Sequence, residues 1–178
     1  MTRLTTLKPA EATGEAAVVF GQIKAALGKV PNAYATIGTH SPMALSAMLN
    51  VDAVISASSL EAADIEAIRL AVSAHSGCHY CVAAHTMLGK LAGLAPDAMT
   101  KIRSGQPVGD VRRDALLVFV RTVVASRDTV PDKVLQALLA AGYSERQVIE
   151  ILLVVTSITF TNLVNRVNDT AIDFPKID

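Results

Sequence analysis

Proline, serine and glycine stand in this chain where helices begin and end, and that punctuation limits the fold more than any other feature of the sequence. Pro42, Pro96 and Pro131 head stretches of helical periodicity, where a first turn tolerates a residue without an N–H. Gly28 and Gly142 close such stretches, and Ser76 with Gly77 breaks the chain just before Cys78. Ser58 with Glu61, and Ser144 with Gln147, have the spacing of a capping box. Between these marks apolar residues recur at three and four: Ile65, Ile68 and Val72 form a stripe, with Asp64, Glu66 and Arg69 lying off it. Alternating strands bounded by hairpin dipeptides do not occur. The first helix is expected over residues 10–27 and the last from Ser144 to about Asn168. The pattern predicts an all-α, single-domain helical bundle over residues 1–178, with about seven to eight helices.

Composition agrees and narrows the function. Of 178 residues 51% are hydrophobic but only 4% aromatic, with no Trp, so the core is built from small aliphatic side chains. Sixteen basic residues balance 16 acidic ones, and neither a basic stripe for nucleic acid nor a polybasic cluster for a membrane surface is present. The mean hydropathy of +0.41 fits either a membrane protein or an oligomer with large apolar interfaces. The longest apolar run, ILLVVTSITFTNLV at residues 151–164, is short of the ~20 residues a span requires and is interrupted by Thr, Ser and Asn. A core or interface helix is therefore expected. The opening MTRLTTLKPAEATGEAA has no apolar segment followed by a cleavage site, so a cytoplasmic, reducing location is the expectation. Two cysteines in such a compartment read as reactive thiols or metal ligands.

Both cysteines lie in SAHSGCHYCVAAHT, residues 73–86. On one continuous helix Cys78, Cys81 and His85 fall within about 60° of each other, while His79 and Tyr80 sit about 100° and 200° from Cys78. A CxxC at a helix N-terminus favours the thiolate, through unpaired N–H groups and the helix dipole. Cys81 and His85, four apart, are neighbours, whereas Cys78 is about 10.5 Å of axial rise from His85. This favours Cys81 as the nucleophile, with His85 as its proton partner and Cys78 as its disulfide partner. The dipole favours Cys78 instead, and spacing leaves the order open. Zinc is the main competing chemistry, but this stretch supplies only Cys78, Cys81 and His85, leaving the fourth ligand to Glu66, His40, His75 or water.

The string EAIRLAVSAHSGCHYCVAAH resembles the signature of the carboxymuconolactone decarboxylase and alkylhydroperoxidase D-like superfamily: Glu66, eleven residues, Cys78, Cys81, three residues, His85. The words VPN, HSP, Gly93–Leu94 and FTNLVNRVND extend the resemblance, which is nearest to the peroxidase-related branch. It implies an all-α fold and a homo-oligomer, commonly a dimer, trimer or hexamer. It implies a thiol-dependent peroxidase or disulfide reductase, an antioxidant activity without a cofactor, acting on a hydroperoxide or disulfide substrate and recharged by a dithiol electron donor. By the same resemblance Cys81 attacks, Cys78 resolves, and Glu66 with His85 relays protons. The alkylhydroperoxidase D type carries a further His at the position of Tyr80, so here that relay is incomplete. The alternative function is a non-enzymatic zinc-binding or redox-sensing assembly module. Of the remaining candidates, Tyr80 and His40 are possible pocket residues, and His75 is expected to cap a helix end. Asn162, Asn165 and Arg166, polar breaks in an apolar helix, are expected at an interface or near the site, with the interface favoured.

Overall fold

The computed structural model describes residues 2–175, and all its regular structure is helical. A short 3-10 turn, Pro9–Glu11, precedes α1 (Gly14–Leu27), α2 (Asn32–His40), α3 (Pro42–Ser56), α4 (Ala62–His75) and α5 (His79–Leu91). The chain continues through α6 (Pro96–Ser104), α7 (Val111–Ala125), α8 (Asp132–Ala140) and α9 (Glu145–Asn168). The all-α class is as expected; the count exceeds seven to eight because short stretches such as α2 and α6 each complete a helix of nine residues.

The local signals explain most boundaries. Pro42 and Pro96 occupy first turns, and the Ser41 hydroxyl accepts the Ala44 N–H at 3.1 Å to cap α3. Ser144 and Gln147 form the expected capping box at the head of α9. The other box does not form. Glu61, not Ser58, is the N-cap of α4; the Ser58 hydroxyl accepts the Leu60 N–H at 3.4 Å, and the neighbouring Ser59 N–H and hydroxyl bond Glu150 of α9 at 3.1 and 2.6 Å. Nor does the first helix start near residue 10: Gly14 has a φ of +59°, and the continuous helix runs only from there.

Helix α4 lies at the centre. Every residue from Asp64 to Ser73 except Arg69 is buried, with Ala67, Ile68 and Leu70 fully so. Ile151, Val154 and Ile158 of α9 and Leu116, Leu117 and Val120 of α7 share its core cluster. A second cluster joins Val19, Phe20 and Ile23 of α1, Ile37 of α2, and Leu45 and Met48 of α3. Gly38 of α2 lets these helices approach, since a Cβ there would collide with the Phe20 ring and Leu45. Helix α9 is long and apolar enough to cross a membrane by length and composition alone. In the fold its Ile151, Val154 and Ile158 share the core cluster of α4, and its Asn162, Asn165 and Asn168 are buried within the protein. Asn168 also fixes the chain before α1, accepting the Leu4 N–H at 2.8 Å and donating to Thr36 at 3.1 Å.

Asp64, at the head of α4, is wholly buried yet ionically paired. Its Oδ1 accepts from Arg113 Nε at 2.9 Å, and its Oδ2 from Arg112 Nη1 at 2.8 Å and from the Tyr143 hydroxyl at 2.7 Å. Arg112 also stacks over the Tyr143 ring, 4.0 Å from its centroid. Burial and the Asp64 carboxylate push the Tyr143 pKa up, so its proton stays in that bond. Removing the carboxylate strands two guanidinium groups and a phenol in a partly dry environment. Asp64→Ala is expected to lower unfolding stability by about 3–5 kcal/mol, read as the midpoint of a urea titration followed by helical circular dichroism.

Candidate active site

Cys78 does not lie on the helix with Cys81. Gly77 takes a φ of +67°, and Cys78, with φ −86° and ψ 92°, is the extended N-cap of α5. Its sulfur accepts the Cys81 N–H at 3.4 Å, in the place a serine oxygen usually fills. The angular offset expected for a continuous helix therefore fails for Cys78, yet the two sulfurs still lie 2.8 Å apart. Both are free thiols, and both are buried.

Of the two thiols, Cys78 is the one whose pKa is lowered. The hydrogen bond from the Cys81 thiol lowers the Cys78 pKa against the opposing effect of burial, helped by the Cys81 N–H and the positive charge of Arg166. The Cys81 pKa is pushed up because its proton is held in that same bond, because it is buried, and because Cys78 carries charge. Hydrogen bonds from Asn165 and Thr161 pull the other way without reversing it. The direction agrees with the helix-end cue that favoured Cys78 rather than with the spacing cue that favoured Cys81.

Access is divided in the opposite sense. Cys81, and not Cys78, lines a cavity of about 500 Å³. Leu27, Leu88, Leu91, Ile158 and Phe174 make much of its wall apolar, and Tyr34, Arg69, His85 and Asn165 supply polar atoms. His85 Nδ1 lies 2.8 Å from Glu66 Oε2, and Glu66 Oε1 accepts from Arg69 Nη1 at 2.9 Å. Arg69 Nη2 donates in turn to Asp52 at 2.9 Å, and Ser157 donates to the same Asp52 oxygen at 3.1 Å. Burial alone would raise the Glu66 pKa, but His85 and Arg69 outweigh it and hold the carboxyl below its ordinary value. A carboxylate fixed on Nδ1 leaves Nε2 as the ring nitrogen for proton exchange. Burial raises the Tyr34 pKa to about 12, reinforced by Asp52, so its phenol stays protonated.

Asn165 is the residue that sequence reading placed least well. Its Nδ2 donates to Cys81 Sγ at 3.3 Å, and Asn162 Oδ1 accepts from Ser73 at 3.1 Å. With exposures of 1% and 4%, Asn162 and Asn165 are interior to the chain rather than at the interface favoured from sequence. The signal for them was the spacing of three between Asn162, Asn165 and Asn168, which puts one amide face along an apolar helix. Arg166 is exposed.

Tyr80 lines the cavity, its hydroxyl donating to Asp173 at 2.8 Å and accepting the Ala33 N–H at 3.2 Å. His40 does not: it is exposed, its Nε2 is 2.7 Å from the Thr5 carbonyl, and it fastens the segment before α1. His75 ends α4 and His79 begins α5, both exposed. Among the described residues no three His, Cys, Asp or Glu side chains are grouped to hold a metal, so the zinc alternative has no ligand set there.

Residues 42–104 match the model of the carboxymuconolactone decarboxylase family, a stretch from α3 through α6 that contains Glu66, Cys78, Cys81 and His85. No curated protein matches the chain at a significant level. Among solved structures, an uncharacterized peroxidase-related protein from Ralstonia eutropha JMP134, described as an alkylhydroperoxidase AhpD core, superposes with a TM-score of 0.84. It is 20% identical, over 97% of this chain and 92% of its own. A peroxidase-related protein from Silicibacter sp. TM1040 gives 0.78 at 21% identity, over 96% and 94%. The debrominase Bmp8 also gives 0.78 at 21%, over 97% and 93%. The alkylhydroperoxidase D-like fold expected from the cysteine signature is thus the fold observed.

The division of charge between the sulfurs has a direct test. In Cys81→Ala the donor that stabilises the Cys78 anion is gone, so the Cys78 pKa should rise by about 1 unit or more. Thiolate absorbance at 240 nm against pH reads it, and in Cys81→Ala the remaining rise should shift to higher pH than the first rise of the parent chain.

Proposed function

We propose that this chain is a thiol-dependent peroxidase that reduces organic hydroperoxides with the Cys78–Cys81 pair. The observation that carries the reading is a dithiol with sulfurs 2.8 Å apart, one of which opens on a mostly apolar cavity shared with His85. That separation needs only a short approach to reach the roughly 2.05 Å of a disulfide. The cavity suits an uncharged, apolar hydroperoxide better than a polyanion, since Asp52, Glu66 and Arg69 already satisfy one another beside it.

In the proposed cycle the Cys78 thiolate first takes the proton of the Cys81 thiol across their short contact. Cys81, now the anion and supported by the Asn165 amide, attacks the outer peroxide oxygen. The O–O bond breaks, Cys81 becomes a sulfenic acid, and the leaving alkoxide takes a proton from His85, held by Glu66, and departs as an alcohol. The Cys78 thiol then attacks the Cys81 sulfur; the S–O bond breaks, its oxygen leaves as water, and the disulfide forms. Two electrons have passed from two thiols to one peroxide, and an external dithiol returns them. The proton relay thus needs no histidine at position 80. Cys81 is the attacking residue, Cys78 its base and resolving partner, and His85 with Glu66 the acid.

The chain is also proposed to act as a homo-oligomer. Phe160, Leu163 and Val167 of α9 are 40%, 53% and 60% exposed and recur at three and four, an apolar stripe on the side of α9 away from its buried asparagines. Equilibrium sedimentation should give a mass at least twice that of one chain, and Leu163→Glu should shift it downward.

One equivalent of a primary alkyl hydroperoxide such as n-butyl hydroperoxide should convert the two thiols of the reduced chain into one intramolecular disulfide, shown by thiol titration and peptide mass mapping. Cys81→Ser should lose peroxide consumption by at least about a hundredfold. Cys78→Ser, which lacks both base and resolving thiol, should oxidise more slowly and stop at a sulfenic acid on Cys81, trapped by dimedone. Unchanged peroxide consumption in Cys81→Ser would remove the proposal.

A further inference from the structure

The residues after α9 have no regular structure, yet a dense set of side-chain bonds holds them against the site. Asp173 Oδ1 accepts from the Tyr80 hydroxyl at 2.8 Å, and Oδ2 accepts from Lys29 Nζ at 3.1 Å and from the Asn32 N–H at 3.3 Å. Lys29 Nζ also donates to the Asp173 carbonyl at 2.7 Å, and Asn32 Nδ2 donates to the Ala171 carbonyl at 2.9 Å. The next side chain, Phe174, meets the Tyr80 ring edge-on with centroids 5.4 Å apart, and the Lys29 ammonium lies 4.9 Å from the Phe174 centroid. Lys29, Tyr80 and Phe174 all line the cavity that holds Cys81.

We propose that residues 171–174 form a clamped wall of the Cys81 cavity, in which Phe174 limits the girth of a molecule reaching the sulfur and Asp173 is the positioning residue that holds Phe174 in place. The proposal rests on the reading of Cys81 as the thiol that meets substrate. It gives Tyr80 a role that its place between the two cysteines does not suggest. Burial and the Asp173 carboxylate keep its phenol protonated, so Tyr80 is a fixed donor tying the wall to the first turn of α5. The Ala33 N–H completes the hydroxyl's partners and joins α2 to the same point. A ring held by a phenol ring and an ammonium does not swing aside while the Asp173 bonds hold. The cavity therefore favours slender apolar substrates, such as primary alkyl hydroperoxides, over bulky tertiary aryl ones.

Thiol alkylation tests the wall without calling on peroxide chemistry. The reduced full-length chain is treated with iodoacetamide or with N-(1-pyrenyl)maleimide, and modification of Cys81 is followed by peptide mass mapping. Phe174→Ala is expected to raise the pyrenyl rate about tenfold or more while the iodoacetamide rate changes less than about twofold. Asp173→Asn, which removes the charge and keeps the shape, should move the ratio of the two rates the same way by a smaller factor, and it decides the matter if Phe174→Ala does not fold. A ratio unmoved in both folded variants overturns the proposal. If that unmoved ratio comes with peroxide turnover by the parent chain, the wall fails and the peroxidase reading stands; a moved ratio in a chain that consumes no peroxide supports the wall and removes the peroxidase.

Discussion

A carboxylate taken out of water must be met by cations or hydrogen-bond donors, and α4 takes in two of them only two residues apart. Two residues on a helix turn through about 200°, so Asp64 and Glu66 leave α4 in nearly opposite directions. Asp64 collects Arg112 and Arg113 from α7 and Tyr143 from the loop before α9. Glu66 collects Arg69 from its own helix and His85 from α5, and through Arg69 reaches Asp52 on α3. The most buried helix is thereby tied to its neighbours on both sides by ionic contacts whose geometry tolerates little displacement. The first set fixes α4 in the bundle. The second fixes α5, and with it Cys81 and His85, against α4.

What could be read from the sequence was what depends on neighbours along the chain. Pro42, Pro96 and the Ser144–Gln147 box set helix starts through groups a few residues away, and they stand where the pattern put them. Ser58 and Glu61 had an equally good spacing, but the turn there is held instead by Glu150 on Ser59, a contact across 91 positions that no local pattern can register. The same distinction separates the two cysteines. That a helix end would offer an N–H to Cys78 is a local statement, and the Cys81 N–H on the Cys78 sulfur is its counterpart in the fold. That Cys78 would share a helical face with His85 assumed the helix had already begun, whereas Gly77 and the extended Cys78 postpone its start by one residue.

The remaining site residues come from far along the chain. Asn165 reaches Cys81 across 84 positions and Asp173 reaches Tyr80 across 93, so neither could be assigned from the cysteine stretch alone. Glu66 is a middle case. By residue type it would be placed in solvent, and only the family signature marked it; the fold accounts for the mark, because burial there is tolerable only with His85 and Arg69 on its two oxygens. His40 is the converse, a histidine in a suggestive word, HSP, that the fold uses to hold the segment before α1.

The two sulfurs divide what a nucleophile needs. Cys78 has the lowered pKa but does not line the cavity, and Cys81 lines the cavity but has the raised pKa. On the proposed reading, a resting pair arranged this way presents the less acidic thiol to whatever enters the cavity, which lowers its reactivity toward stray electrophiles. Activation then needs one proton to cross a single short contact, an exchange within the pair that leaves its net charge unchanged. In the proposed cycle, once Cys81 has been oxidised, the proton it gave up sits on Cys78, beside the oxygen that must leave as water. On the proposed reading, the geometry that protects the resting dithiol also places the resolving thiol and its proton where the second step requires them, and the histidine is left with the single task of protonating the departing alkoxide.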